Sequence, residues 1–154
     1  MAASNFQNCL TFTLHYEGGF TNNPRDPGGP TNLGVTIATL SHELGRAATI
    51  AEVRALTPAT ATPIYRKKFW NLIDGDGLPA GVDLITFDIA VNNGPGRALR
   101  WLDETANTAP RDRILALHKF RVGFWRSLPI FATFAGRWMK RETACLAAAL
   151  KYVS

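Results

Sequence analysis

The chain has 154 residues, 46% hydrophobic and 10% aromatic, which points to one domain with one core and excludes a disordered chain. Its 17 Lys and Arg outnumber its 12 Asp and Glu, for a net charge of +5, so anionic partners come into consideration. No apolar run approaches the roughly 18–20 residues of a membrane span, and the N-terminus lacks a signal peptide's basic region, so cytoplasmic synthesis without Sec export is expected.

The apolar residues recur mostly with helical period. Phe6, Leu10 and Leu14 share a face with Glu17 in a first helix, which Ser4 or Asn5 caps and Gly18-Gly19 ends. A short second helix is expected over about 39–44, stopped by Gly45. Thr49 and Glu52 form a capping box for a third. Thr57-Pro58 opens a fourth that runs to about Trp70, with Pro63 in its first turns. Asp74-Gly75-Asp76-Gly77 lacks the later acidic ligands of a calcium loop and reads as a turn. A fifth helix follows over 80–92, and Pro95 and Pro110 start a sixth and a seventh. The last covers about 133–152. Strand signals are limited to a small hairpin within 20–37, around Phe20-Thr21 and Val35-Thr36-Ile37. The expected fold class is mainly α. It is a single domain over 1–154, with a catalytic part over about 5–75 and a helical part over 78–152.

Residues 18–34, GGFTNNPRDPGGPTNLG, break the helical regularity with five glycines and three prolines in 17 residues. Glycine and proline at that density fix a specific irregular path, and a long ordered loop in a helical domain is usually functional. Glu17 directly precedes this loop. The negative end of a helix and burial under the loop both disfavour an ionised carboxylate, as a general acid near neutral pH requires. Asp26 and Thr31 follow within the loop, so two carboxyls and a hydroxyl can surround one cleft. That is the inventory for acid-assisted cleavage of a glycosidic bond. The same residues also suit a solvated helix-end Glu and an Asp that shapes a turn.

The full string is more specific than the isolated pair. It comprises His15-Tyr16-Glu17-Gly18-Gly19-Phe20, then Asn23-Pro24, then Asp26 to Asn32 (DPGGPTN), then Gly34-Val35-Thr36. It closely resembles the signature of glycoside hydrolase family 108, N-acetylmuramidases of phages, prophages and bacteria, some labelled secretion activator proteins. Ile64-Tyr65, Phe69-Trp70 and Phe87 to Gly96 (FDIAVNNGPG), with Ala98 and Trp101-Leu102, continue the resemblance. That last stretch is similar to the family's peptidoglycan-binding region, and a weaker echo covers Ala135 to Trp138 with Arg141.

The resemblance implies a lysozyme-like α fold with Glu17 at the catalytic position. Glu17, Asp26 and Thr31 also resemble the Glu/Asp/Thr triad of T-even phage lysozymes, with one residue fewer before the threonine. By that analogy Asp26 and Thr31 hold the attacking water or balance the oxocarbenium charge. Candidate substrate contacts are Asn32, Tyr65, Trp70, Asn92 and Asn93, the aromatic rings for stacking and the amides for sugar N-acetyl groups. Core packing and helix capping are the plainer roles for Tyr65, Trp70, Asn92 and Asn93.

The implied activity is hydrolysis of the MurNAc-β-1,4-GlcNAc bond of peptidoglycan by an endolysin-like monomer. A lytic transglycosylase and a non-catalytic wall-binding scaffold are the alternatives. Residues 111–154 carry nine basic and two acidic residues, so the positive excess lies in the last quarter. Exposed bases there (Arg111, Arg113, Lys119, Arg137, Lys140 and Arg141) are expected to meet an anionic wall or membrane surface. No nucleic-acid motif accompanies them. Access to the wall is expected through a holin or host lysis. Cys9 and Cys145 sit in apolar helical patterns and read as core thiols, and the three histidines form no ligand set, so neither metal nor cofactor is expected.

Overall fold

The structure is a computed structural model that describes residues 4–154. It is mainly α with one small hairpin, as the sequence predicts. Eight α-helices occur among the described residues: α1 Phe6–Tyr16, α2 Ile37–Leu44, α3 Ile50–Arg54, α4 Pro58–Tyr65, α5 Val82–Asn93, α6 Pro95–Glu104, α7 Pro110–Arg126 and α8 Phe131–Leu150. Strands β1 Thr31–Asn32 and β2 Val35–Thr36 pair antiparallel, Thr31 opposite Thr36 and Asn32 opposite Val35. The described residues form two compact units: Leu10–Lys68, and Phe69–Ser154 together with residues 4–9.

In the Leu10–Lys68 unit, local chemistry sets most boundaries. Thr36 caps α2 by accepting from Thr39 N–H, and Gly45 ends it at φ 68°, where a residue without Cβ is unstrained. Thr49 and Glu52 form a reciprocal capping box on α3. Two departures from expectation occur. The hairpin pairs 31–32 with 35–36 because Leu33-Gly34 makes a two-residue turn, and Thr21 contributes only a single bridge to Thr31. The fourth helix changes at Tyr65 into a π-helical segment, Arg66–Trp70. Within α4, Pro63 lacks the N–H that would bond Ala59 O, and the neighbouring Thr62 hydroxyl donates to Pro58 O.

In the other unit α5 is the central element. Its residues 82–90 are all buried, the pattern of a helix covered on every side, and α6, α7 and α8 pack on it. Burying each of Leu84, Ile85, Phe87 and Ile89 contributes about 1.5–3 kcal/mol. Phe6, Trp70 and Phe87 form a mutual aromatic cluster with ring centroids 5.3–5.9 Å apart. At the start of α5 the buried Asp83 accepts from Gly81 N–H, Leu84 N–H and the Asn5 side chain. Cys9 and Cys145 are buried free thiols, and burial pushes both well above the ordinary thiol range.

The same unit encloses a charged network. Asp88 on α5 receives Arg141 through Nη2 (2.8 Å) and Nε (3.1 Å), and Arg121 through Nη2 (2.8 Å). Arg121 Nη1 also meets Glu142 Oε2 at 2.8 Å, and His118 Nδ1 meets Glu142 Oε1 at 2.8 Å. Arg121, Asp88 and Glu142 are fully buried and Arg141 nearly so. Arg141, expected to meet an anionic surface where exposed, is instead buried, with its Nε and Nη2 edge on Asp88. The exposed bases of the last quarter are Arg111, Lys119, Arg126, Arg137, Lys140 and Lys151. No helix among the described residues is long and apolar enough to cross a membrane.

Candidate active site

α1 ends at Tyr16, one residue earlier than the sequence suggests, and Glu17 follows as the first residue outside it. Glu17 N–H donates to Leu14 O at 3.2 Å, a tighter closing turn that leads into Gly18-Gly19. Leu33 N–H donates to Gly18 O at 3.0 Å, which ties the β1–β2 turn to the residue next to Glu17. Both turn residues have positive φ, Leu33 at 52° and Gly34 at 74°, the pattern of a type I′ hairpin. Glycine adopts this freely. Leucine does so at a cost of about 1–3 kcal/mol, so the turn is held by its surroundings.

Part of that hold is Tyr65, the last residue of α4, whose hydroxyl donates to Leu33 O at 2.5 Å. Gly34 presents its bare Cα to two oxygens. A Cβ built there would lie 3.0 Å from Glu17 Oε2 and would collide with Tyr65 Oη. The Glu17 carboxyl and the Tyr65 hydroxyl thus converge on one glycine face. Glu17 itself is half-buried.

Asp26 lies in the exposed part of the loop and shapes it. Its Oδ1 accepts from Gly28 N–H at 2.8 Å, and its carbonyl accepts from Gly29 N–H at 3.0 Å. Thr31 pairs with Thr21 and Thr36 through its backbone, and its hydroxyl donates to Gly29 O at 3.2 Å. Asn32 is buried, and its Nδ2 donates to Val53 O, Arg54 O and Leu56 O at 3.1–3.4 Å. That amide anchors the hairpin to the end of α3, and a sugar cannot reach it.

The expected aromatic platforms are corrected as well. Tyr65 and Trp70 are each 1% exposed, and Trp70 Nε1 donates to Asp76 Oδ1 at 3.0 Å inside the DGDG turn. Buried rings offer no face to a sugar. Asn92 and Asn93 stand at the end of α5, where Asn92 Oδ1 accepts from Arg121 at 3.4 Å and Asn93 O from Arg97 Nη1 at 2.9 Å. Both line a cavity of about 300 Å³ with Arg97, Phe124, Trp125 and Trp138. Asn93 Oδ1 and Arg97 Nε are buried there without a hydrogen-bond partner. No cluster of three or more His, Cys, Asp or Glu among the described residues is arranged to hold a metal ion.

The roles of Gly34, Leu33 and the Tyr65 hydroxyl are not legible from spacing alone. The available signal was the Leu33-Gly34 pair between the β-prone residues Thr31 and Val35-Thr36, a short hairpin pattern.

Comparison with known proteins points to one family. The family model for glycosyl hydrolase 108 matches residues 10–94, a span that contains Glu17, the loop, the hairpin and Tyr65. The solved structure of Brucella abortus SagA is similar, with 36% identity over 98% of this chain and 97% of that chain, at a TM-score of 0.84. The expected lysozyme-like helical fold is consistent with that likeness. No curated protein matches the chain. On the family match and this structural likeness, the chain belongs to the glycosyl hydrolase 108 family.

Proposed function

We propose that this glycoside hydrolase is a lysozyme that cleaves the MurNAc-β-1,4-GlcNAc bond of peptidoglycan with Glu17 as the general acid. The observation that carries the reading is the setting of Glu17: a half-buried carboxyl just past a helix end, packed against Gly34 beside a buried tyrosine. Glycosidic cleavage needs a proton on a poor leaving-group oxygen, and a carboxyl fixed in this way is suited to deliver it. Asp26 and Thr31, in the loop that follows, supply the carboxylate and hydroxyl for holding water or balancing positive charge on the sugar ring. Asp88 and Glu142 are poor candidates for the acid, since both are enclosed and ion-paired.

In the helical unit, Asn92 and Asn93 are proposed substrate contacts through their cavity. Its aromatic wall suits the flat face of a sugar ring. The exposed bases of α7 and α8 are proposed to add attraction to anionic walls. The test is mass analysis of fragments released from purified sacculi. Hydrolysis at the named bond gives fragments ending in reducing MurNAc. Fragments dominated by anhydro-MurNAc ends would overturn hydrolysis in favour of a lytic transglycosylase.

A further inference from the structure

Tyr65 resembles a sugar-stacking residue in sequence, yet its buried ring excludes that use. Its hydroxyl instead meets a backbone carbonyl of a turn that walls the Glu17 carboxyl. We propose that Tyr65 is a positioning residue for Glu17, holding the Leu33-Gly34 turn against which the carboxyl is set. The proposal rests on the reading of Glu17 as proton donor.

Three features carry it. The turn is tied at two points, by Leu33 N–H to Gly18 O on the Glu17 side and by Tyr65 Oη to Leu33 O on the α4 side. Leu33 sits at a positive φ that leucine disfavours, so the turn needs an external hold to keep this shape. Gly34 is the residue whose missing side chain lets both oxygens approach, because any Cβ would strike Tyr65 and press on Glu17 Oε2. Tyr65 therefore acts on the carboxyl through the backbone of the turn. Loss of its hydroxyl frees the Leu33 carbonyl and lets the Gly34 wall shift. Displacement of a reacting group by about 1 Å can reduce turnover on the order of a hundredfold.

The experiment measures kcat and KM of the full chain on soluble peptidoglycan glycan fragments, with thermal melting of the same samples. Tyr65→Phe keeps the ring and is expected to lower kcat about ten- to a hundredfold, with KM unchanged and the melting transition retained. In a Glu17→Gln background, Tyr65→Phe should add no further loss, since the carboxyl it positions is gone. Gly34→Ala should reproduce the kcat effect through the wall itself. A Tyr65→Phe protein with wild-type kcat overturns the proposal, and so does a raised KM at constant kcat, which would return Tyr65 to substrate binding. A Tyr65→Phe chain that does not fold also overturns it, in favour of a purely structural hydroxyl. If Glu17→Gln alone retains activity, the general-acid reading is what fails, a result separate from any outcome at Tyr65.

Discussion

In the unit of α5 to α8, Asp88 and Glu142 are wholly enclosed, Asp88 paired with Arg121 and Arg141 and Glu142 with Arg121 and His118, whereas Glu17 stands on a loop corner walled by a glycine and a tyrosine hydroxyl. The difference separates two uses of a carboxylate. Burial alone would push the Asp88 carboxyl up, but the charges and hydrogen bonds of Arg121 and Arg141 outweigh it and hold it at about 2. Such a group gives no proton near neutral pH. A guanidinium pair thus makes a carboxylate a strut, and the proposed acid sits in the other unit, at an irregular corner reached through Gly18-Gly19.

This comparison breaks most sharply at Arg121. Arg121→Ala leaves Asp88 and Glu142 buried with fewer partners and is expected to destabilise the chain by roughly 3–5 kcal/mol. Chemical denaturation checks this, and a loss under about 1 kcal/mol would mean the network is not a strut.

The loop side is probed by Asp26→Asn. Asparagine can keep the side-chain bond to Gly28 N–H, so the turn survives and only the charge is lost. Turnover is expected to fall on the order of a hundredfold with stability unchanged. Wild-type turnover would leave Asp26 as a turn former alone. Asn32→Ala, by contrast, should act on stability. Removing the amide takes a hydrogen-bond partner from the carbonyls of Val53 and Arg54, a cost of about 1–3 kcal/mol seen as a lower melting temperature.

The pH dependence sharpens the strut side. Asp88 has a folded value of about 2, below the roughly 3.9 of an unfolded aspartate, so its contribution is fully present above about pH 4. It is lost as pH falls from about 4 towards 2, on the order of 2 kcal/mol in all. Denaturation midpoints between pH 5 and pH 2 should show the decline, and Asp88→Asn should flatten it. The smallest expected effect is at the surface. Arg111, Lys119, Arg137 and Lys140 are exposed, so their attraction to anionic walls is screened over about 8 Å at physiological salt. Reversing three of them should lower wall pelleting severalfold at low salt and little at high salt.

The sequence made the helices legible because periodicity, capping residues and prolines act locally. Thr36 and Gly45 of α2, and Thr49 with Glu52 of α3, occupy the cap positions that such patterns predict. The Glu17 corner was legible as a motif but not as a geometry. Nothing in the spacing says that Gly34 and Tyr65, 17 and 48 positions downstream, come to the same carboxyl, since long-range convergence is set by tertiary packing. Side-chain roles diverged for the same reason. Asn32 has the polarity of a sugar contact, yet three carbonyls at the end of α3 take its amide. The ion-paired core left a sequence trace, Asp88 within the apolar run Ile85 to Val91 and Arg121 before Val122. Pairing the two required the fold.

The central claim is that Glu17 donates the proton at the cleaved bond. Glu17→Gln keeps the shape of a protonated glutamate at the Gly34 wall but has no acidic proton to give. Turbidity clearing of permeabilised Gram-negative cells, with thermal melting of the same preparations, tests it directly. Clearing is expected to slow by roughly 10²- to 10⁴-fold, with the melting transition retained. Near-wild-type clearing by a folded Glu17→Gln protein would contradict the account, and loss of clearing together with the melting transition would make Glu17 a structural residue instead.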